Sequence, residues 1–211
     1  MAHLPTDHTE VPIRLFKSDF LEFFTHISPV AIVIIWLPVA VLFMLSEINA
    51  SAGQIAWPVL VIGFLVGVLL WSFAEYTLHR FLFHFEAKSE KVQKIFFLFH
   101  GVHHAQPQCK TRLVMPPVVS IPLSLVVYGL MSLVVVTLFQ LPHWLGPLMS
   151  GFTVGYLFYD LTHYATHHFR MKNGIWKWLK RYHMQHHYKT PDARYGVSSP
   201  LWDIVFGTKP A

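Results

Sequence analysis

Residues 113–159 read LVMPPVVSIPLSLVVYGLMSLVVVTLFQLPHWLGPLMSGFTVGYLFY, without one Asp, Glu, Lys or Arg. About 20 apolar residues cross a bilayer as a helix, so the run is too long for one span. It divides at Gln140, Leu141, Pro142 and His143. One helix is expected from about Val118 to Phe139. A second runs from about Leu145 to Tyr159 and continues past the membrane towards His168. Upstream, Ile27–Leu45 and Ile55–Ala74 are equally free of charge and read as two further spans. Pro38 and Pro58 fall inside them, which lipid-embedded helices tolerate because neighbouring groups satisfy the freed carbonyl. The expected fold is an all-α integral membrane protein with four transmembrane helices in two hairpins, about residues 27–45, 55–74, 118–139 and 145–159. A single domain is expected over residues 1–211.

Composition agrees with a bilayer. The chain is 54% hydrophobic and 13% charged, against roughly 25% charged in soluble domains, and disordered chains are apolar-poor and charge-rich. All 16 Lys and Arg lie in the N-terminal tail, between Arg80 and Arg112, or from Arg170 onward; the hairpin loops 46–54 and 140–145 have none. Basic loops stay in the cytoplasm. Both termini and the central segment are therefore expected there, in a multi-pass protein of a bacterial inner membrane or the endoplasmic reticulum. The net charge of +5 records orientation and contact with anionic headgroups, and no nucleic-acid partner is expected. A tail containing Asp7, Glu10, Asp19 and Glu22 does not resemble a cleavable signal, so the first span is expected to remain as an anchor. Gly174–Tyr182 and Lys88–Phe99 have the amphipathic pattern of helices lying in the headgroup plane.

Fifteen histidines stand out against so little charge. The one cysteine, Cys109, excludes an intramolecular disulfide, a Cys-rich zinc module and a thiolate-held cluster, each of which needs several thiols. Any metal must be held by imidazole. Eleven histidines form four groups: His79 and His84; His100, His103 and His104; His163, His167 and His168; His183, His186 and His187. All map to the cytoplasmic side. Residues four apart on an α-helix differ by only ~40° around its axis. His100 with His104, His163 with His167, and His183 with His187 can thus each chelate one ion. His103 and His186 are rotated off those faces and reach a different ion from their neighbours.

Two metals follow from this spacing. An economical partition puts His79, His84, His100, His104 and His186 on one ion, and His103, His163, His167, His183 and His187 on the other. His79 and His84 are five apart, which an ideal helix does not align, so the helix is expected to fray or bend there. His168 breaks the symmetry and is assigned no ion. His3, His8, His26 and His143 read as interfacial side chains with wet tips and are given no function.

All-imidazole sites suit zinc, iron, copper or nickel, and affinity order alone lets zinc displace iron during purification. A structural zinc site needs four ligands, not ten. Two imidazole-bound metals at a membrane face better suit redox chemistry with dioxygen on a lipid. A non-enzymatic metal carrier or transporter is the alternative of another class, and it would place its ligands near the bilayer midplane. No phosphate loop, nucleophile elbow or His-Glu-x-x-His motif is visible.

The residues around the histidines narrow the reading. Glu75-Tyr76 leads into His79-Arg80-Phe81-Leu82-Phe83-His84. His100-Gly101-Val102-His103-His104 is followed by Arg112-Leu113-Val114-Met115-Pro116-Pro117. Further on come Gly155-Tyr156, Tyr159-Asp160, His163-Tyr164, His183, His186 and His187-Tyr188, then Tyr195-Gly196-Val197-Ser198-Ser199, Trp202-Asp203 and Phe206-Gly207-Thr208. Over about Trp71 to Thr208 the chain resembles the membrane-bound fatty acid hydroxylase superfamily, and within it the fatty acid 2-hydroxylases. Histidine boxes alone are shared with sterol and carotenoid oxidases, which remain the related alternative.

The resemblance implies a histidine-rich helical cap on the cytoplasmic side, two iron ions with dioxygen as cosubstrate, and hydroxylation of a fatty acyl substrate beside its carbonyl. Its ten ligand positions coincide with the partition above. Relatives often carry a fused cytochrome domain for which this N-terminus is too short, so a separate electron donor of cytochrome or ferredoxin type is implied. Cys109 departs from the family, which usually has an acidic residue there. Asp160, one turn before His163, and Glu75, one turn before His79, are expected to orient ligand imidazoles. Tyr159 and Tyr195 are expected to contact the substrate headgroup, and the helices with Pro116-Pro117 to shape an apolar slot.

Overall fold

A computed structural model describes residues 6–85 and 87–210, and all regular structure among them is helical. His3 lies outside the described residues. In chain order the helices are α1 (Asp19–Phe23), α2 (Pro29–Ala50), α3 (Trp57–Thr77), α4 (Glu90–Phe96), α5 (Val102–Ala105), α6 (Pro117–Met131), α7 (Pro142–His168), α8 (Gly174–Tyr188) and α9 (Leu201–Val205). Three stretches are wound as π-helix. Leu78–Phe83 continues α3, Phe97–Gly101 links α4 to α5, and Ser132–Leu138 continues α6.

Among the described residues, three helices are long and apolar enough to cross a membrane: Pro29–Ala50, Trp57–Phe83 and Pro117–Leu138. α2 and α3 outrun the charge-free sequences that define them, because helix persists until its backbone groups find other partners. Ala52 and Gly53, both at positive φ, close the end of α2, and the Gly53 N–H bonds back to the Ile48 carbonyl at 2.9 Å. Pro58 proves to be the second residue of α3 rather than interior, where a missing N–H costs no helical bond. Pro38, Pro122 and Pro147 do lie inside their helices.

The chain forms two compact units. One contains residues 29–71 and 115–158, where α3 and α7 touch backbone to backbone. A Cβ on Gly151 would stand 1.9 Å from the Phe64 carbonyl oxygen, and one on Gly67 would stand 2.2 Å from that of Leu148. Only glycine permits such an approach, the usual device for packing helices in lipid. Trp71 closes the seam edge-on to Phe152 and Tyr156, with ring centroids 5.1 and 5.2 Å away.

The other unit gathers the described residues of 6–28, 72–114 and 159–210. Its N-terminal segment lies along the loop after α5. The Asp7 N–H bonds to the Ala105 carbonyl and the Ile27 N–H to that of Thr111. The buried Gln106 side chain donates to Asp7 at 2.9 Å and accepts from the Ile13 N–H at 2.8 Å. Arg112 donates to the Ile13 carbonyl and pairs with Glu22. His26, given no role from sequence, joins this network through its contact with Arg112 at 3.0 Å.

In α8 the expected amphipathic face divides. Leu179 and Tyr182 are buried, while Ile175 and Trp178 are exposed with Lys177 and Arg181, and Lys180 is half-buried.

Candidate metal centre

The second unit carries all ten histidines of the two sets. His79 and His84 flank the π turn after α3. In an α-helix residues five apart point ~140° apart, whereas π winding adds a residue per turn. The His84 N–H bonds to the His79 carbonyl, five residues back, at 3.2 Å. The expected fraying is thus replaced by rewinding, and the two rings lie 5.0 Å apart. The second π stretch and α5 carry His100, His103 and His104. α7 carries His163 and His167, and α8 carries His183, His186 and His187.

Their ring nitrogens converge on two points. One set comprises His79, His84, His100, His104 and His186, the other His103, His163, His167, His183 and His187, and within each the candidate ligand atoms all lie within 4.8 Å of one another. These are the residues the helical angles group together. In the first set Nε2 of His100 is 3.1 Å from that of His79 and 2.9 Å from that of His104, and His186 is 3.1 Å from His84. In the second the contacts form a chain. His163 to His103 is 2.9 Å, His103 to His187 is 3.0 Å, His187 to His183 is 3.1 Å, and His183 to His167 is 2.9 Å. His168 belongs to neither set; its ring packs 4.6 Å from Tyr164.

These residues fit a metal on three grounds. Two nitrogens each about 2.1 Å from one ion and at right angles are about 3.0 Å apart, while a tetrahedral angle would separate them by about 3.4 Å. The observed contacts match the right-angled case, which accommodates five ligands where a tetrahedral shell holds four. Protonation state agrees: burial, then the neighbouring imidazoles, hold His100, His103, His104, His183 and His187 well below the usual histidine range. Burial likewise lowers His186 to about 4, despite an opposing bond to the Ala193 carbonyl. These rings are neutral at pH 7, the form that can bind a metal. Tautomer is the third ground. His79 Nδ1 donates to the Tyr195 carbonyl at 2.5 Å and His186 Nδ1 to the Ala193 carbonyl at 2.7 Å. A carbonyl only accepts, so the proton is on Nδ1 and the Nε2 lone pair faces inward.

The loop supplying those carbonyls is held by two carboxylates. Glu75 accepts from the N–H groups of Val197 at 2.7 Å and Ser198 at 2.8 Å, and from the Ser198 hydroxyl. Its partners are thus a loop 122 residues away in sequence rather than an imidazole. Asp203, fully buried, accepts from the N–H groups of Tyr195 at 2.9 Å and Gly196 at 2.8 Å, and from the Thr208 hydroxyl at 2.7 Å. No spacing rule singles out Asp203, since its partners are a loop rather than a helical neighbour.

Asp160 is buried one turn before His163, and Tyr159 is buried with its ring 5.7 Å from that of His163. The Tyr195 ring stands 5.5 to 5.8 Å from those of His84, His79 and His186, with the Arg80 guanidinium 6.0 Å from its centroid. Cys109 is buried beside Thr111.

Ten imidazoles in two sets, with His104 and His187 half-buried and the rest buried, on a helical scaffold with apolar helices fit the class of membrane enzymes that could hold metal, and sequence comparison gives the family. Residues 64–208 match the fatty acid hydroxylase family model, and the chain belongs to that family. A dihydroceramide fatty acyl 2-hydroxylase of Arabidopsis thaliana is 43% identical over 208 residues, covering 99% of this chain and 84% of the relative. The ceramide very long chain fatty acid hydroxylase scs7 of Schizosaccharomyces pombe is 41% identical over 197 residues, 91% of this chain and 54% of the relative. Among solved structures, full-length scs7p with only its hydroxylase domain visible aligns with a TM-score of 0.82 and 37% identity, over 92% of this chain and 70% of that one.

Proposed function

We propose that this chain is a membrane-bound fatty acyl 2-hydroxylase. The observation that carries the reading is the convergence of ten imidazoles into two five-nitrogen sets, in a chain 43% identical over nearly its whole length to a dihydroceramide fatty acyl 2-hydroxylase. An amide-linked acyl chain of dihydroceramide type is accordingly the first substrate to test, ahead of the sterol and carotenoid alternatives.

The first ion would be held by His79, His84, His100, His104 and His186, the second by His103, His163, His167, His183 and His187. Iron is the metal in this reading, with zinc able to replace it in purified protein. Bound iron would supply the activation of dioxygen. Overall, one oxygen atom enters the C–H bond beside the acyl carbonyl and the other leaves as water, with two electrons and two protons from a separate donor of cytochrome or ferredoxin type.

The protein's own part is orientation. Glu75 and Asp203 hold the 195–198 backbone, which in turn fixes the His79 and His186 rings. Asp160 is assigned to positioning His163, and Tyr159 and Tyr195 to the substrate headgroup. In the membrane, α7 forms a fourth span over about residues 145–159, beside the three apolar helices. Both termini and the metal centre face the cytoplasm, the side to which every Lys and Arg maps, and the whole chain acts as one hydroxylase domain.

The test is expression of the chain in cells followed by mass spectrometry of hydrolysed lipids. The expected product is 2-hydroxy fatty acid, absent from cells making His100→Ala. If iron-loaded protein with an electron donor gives no such acid, and His100→Ala leaves every lipid unchanged, the assignment fails.

A further inference from the structure

The loop from Ala193 to Ser199 hydrogen-bonds to the first set of histidines through main-chain oxygens, and those oxygens can face the rings only if the loop keeps one shape. Asp203 lies at its centre. Its two carboxylate oxygens take the N–H groups of Tyr195 and Gly196 and the Thr208 hydroxyl, and the Thr208 hydroxyl also meets Tyr76 Oη at 3.0 Å. The loop wraps so closely that a Cβ on Gly196 would lie 2.0 Å from the Ser199 carbonyl oxygen and 3.0 Å from Asp203 Oδ2. With the Tyr195 N–H bound to Asp203, the carbonyl of the same residue accepts from His79; two residues back, the Ala193 carbonyl accepts from His186. None of the histidines of the second set has such a bond to this loop, and the Nδ1 atoms of His163, His167 and His183, like that of His84 in the first set, are buried without a hydrogen-bond partner.

From this geometry we infer that Asp203 is a positioning residue for one metal only. Acting through the Tyr195 and Ala193 carbonyls, it fixes the tautomer and direction of His79 and His186, and so sets the affinity of the first ion while leaving the second untouched. Partners that orient ligand imidazoles typically change metal affinity by ~10–100-fold. Asp203→Asn keeps the shape of the side chain but turns one acceptor into an NH2 that confronts a backbone or hydroxyl donor.

This inference rests on the two-metal reading, and the experiment separates the two. Purified wild type and Asp203→Asn, in detergent, are loaded with iron or zinc, and metal per chain and the rates of release to a chelator are measured. Wild type is expected to bind two ions. Asp203→Asn is expected to bind one tightly and to release the other ~10–100-fold faster, with thermal unfolding of the metal-free protein close to wild type. Thr208→Val, which removes one bond to the carboxylate, is expected to fall between and serves if Asp203→Asn does not fold. Both ions accelerated alike relative to wild type, or neither accelerated, overturns the positioning role while wild-type stoichiometry stays at two. Fewer than two ions in wild type overturns the two-metal reading and this inference with it.

Discussion

The two histidine sets use the same ligand, the same number of residues and the same spacing between nitrogens, yet they are built differently. The second takes its ligands from straight helical pairs on α7 and α8 plus His103, so helix geometry alone aligns them. The first needs a π turn to bring His84 round to His79 and a distant loop to hold two rings by their far nitrogens. One set is secured by regular secondary structure. The other depends on tertiary hydrogen bonds. Such bonds specify a geometry that no helix offers, at the cost of relying on a loop that must itself be held.

Removing a ligand from either set should have the largest effect. His100→Ala and His183→Ala are each expected to lower 2-hydroxy acid formation at least ~100-fold, since both metals serve one reaction. A variant that keeps wild-type product would show that one set is dispensable. Acid should come next, and here the sets should behave alike. The buried imidazoles are neutral when folded and have folded pKa values below the ~6.5 of an unfolded histidine, so the folded state binds fewer protons. Stability and metal retention are then fully present above about pH 6.5 and decline as pH falls towards the value of about 4 for His186. Thermal melts and metal content from pH 8 to 5 measure this, and one set emptying well before the other would break the parallel.

Chelation at neutral pH should separate them again. With three buried Nδ1 groups lacking partners in the second set against one, that of His84, in the first, the second set's rings are held by fewer bonds, and wild type is expected to release its ions in two phases about 10-fold apart, the second set first. Single-phase release would remove the distinction. The smallest effect belongs to His143→Gln. His143 meets Glu47 at 2.7 Å in the unit that holds none of the ten histidines, and a partly exposed pair of this kind contributes up to ~1 kcal/mol. Both metal occupancies should be unchanged and the melting temperature only slightly lowered.

What could be read from sequence follows the same division. Three of the four expected spans coincide with helices long and apolar enough to cross a membrane, because charge-free runs are long compared with a bilayer, although α2 and α3 extend beyond them until caps and hydrogen bonds end the helix. The His100–His104, His163–His167 and His183–His187 pairs were legible because one angle per residue fixes their faces. At His79–His84 the pattern showed that an ideal helix fails but not what replaces it, since π winding is chosen by what the rings must reach. Glu75 was found for its place beside His79, yet its partners are Val197 and Ser198. Asp203 left no periodic trace, and His26 looked idle until Arg112 and Glu22 were beside it. Interactions carried within one helix leave a period in the chain, whereas those between a side chain and a remote backbone do not.

The π turn at Leu78–Phe83 amounts to one residue more than an α-helix would use between the same two ends. Deleting a single codon there, at Phe81 or Leu82, would restore an unbroken helix and give the two histidines the four-residue interval found in the other boxes. By local rules that is an improvement. Because the α turn would span the same two ends, the chain beyond it would keep its place, and His84 would still reach His186. A codon-deletion scan should therefore find this turn more tolerant than the regular helix before it, where losing a residue turns everything that follows by ~100°.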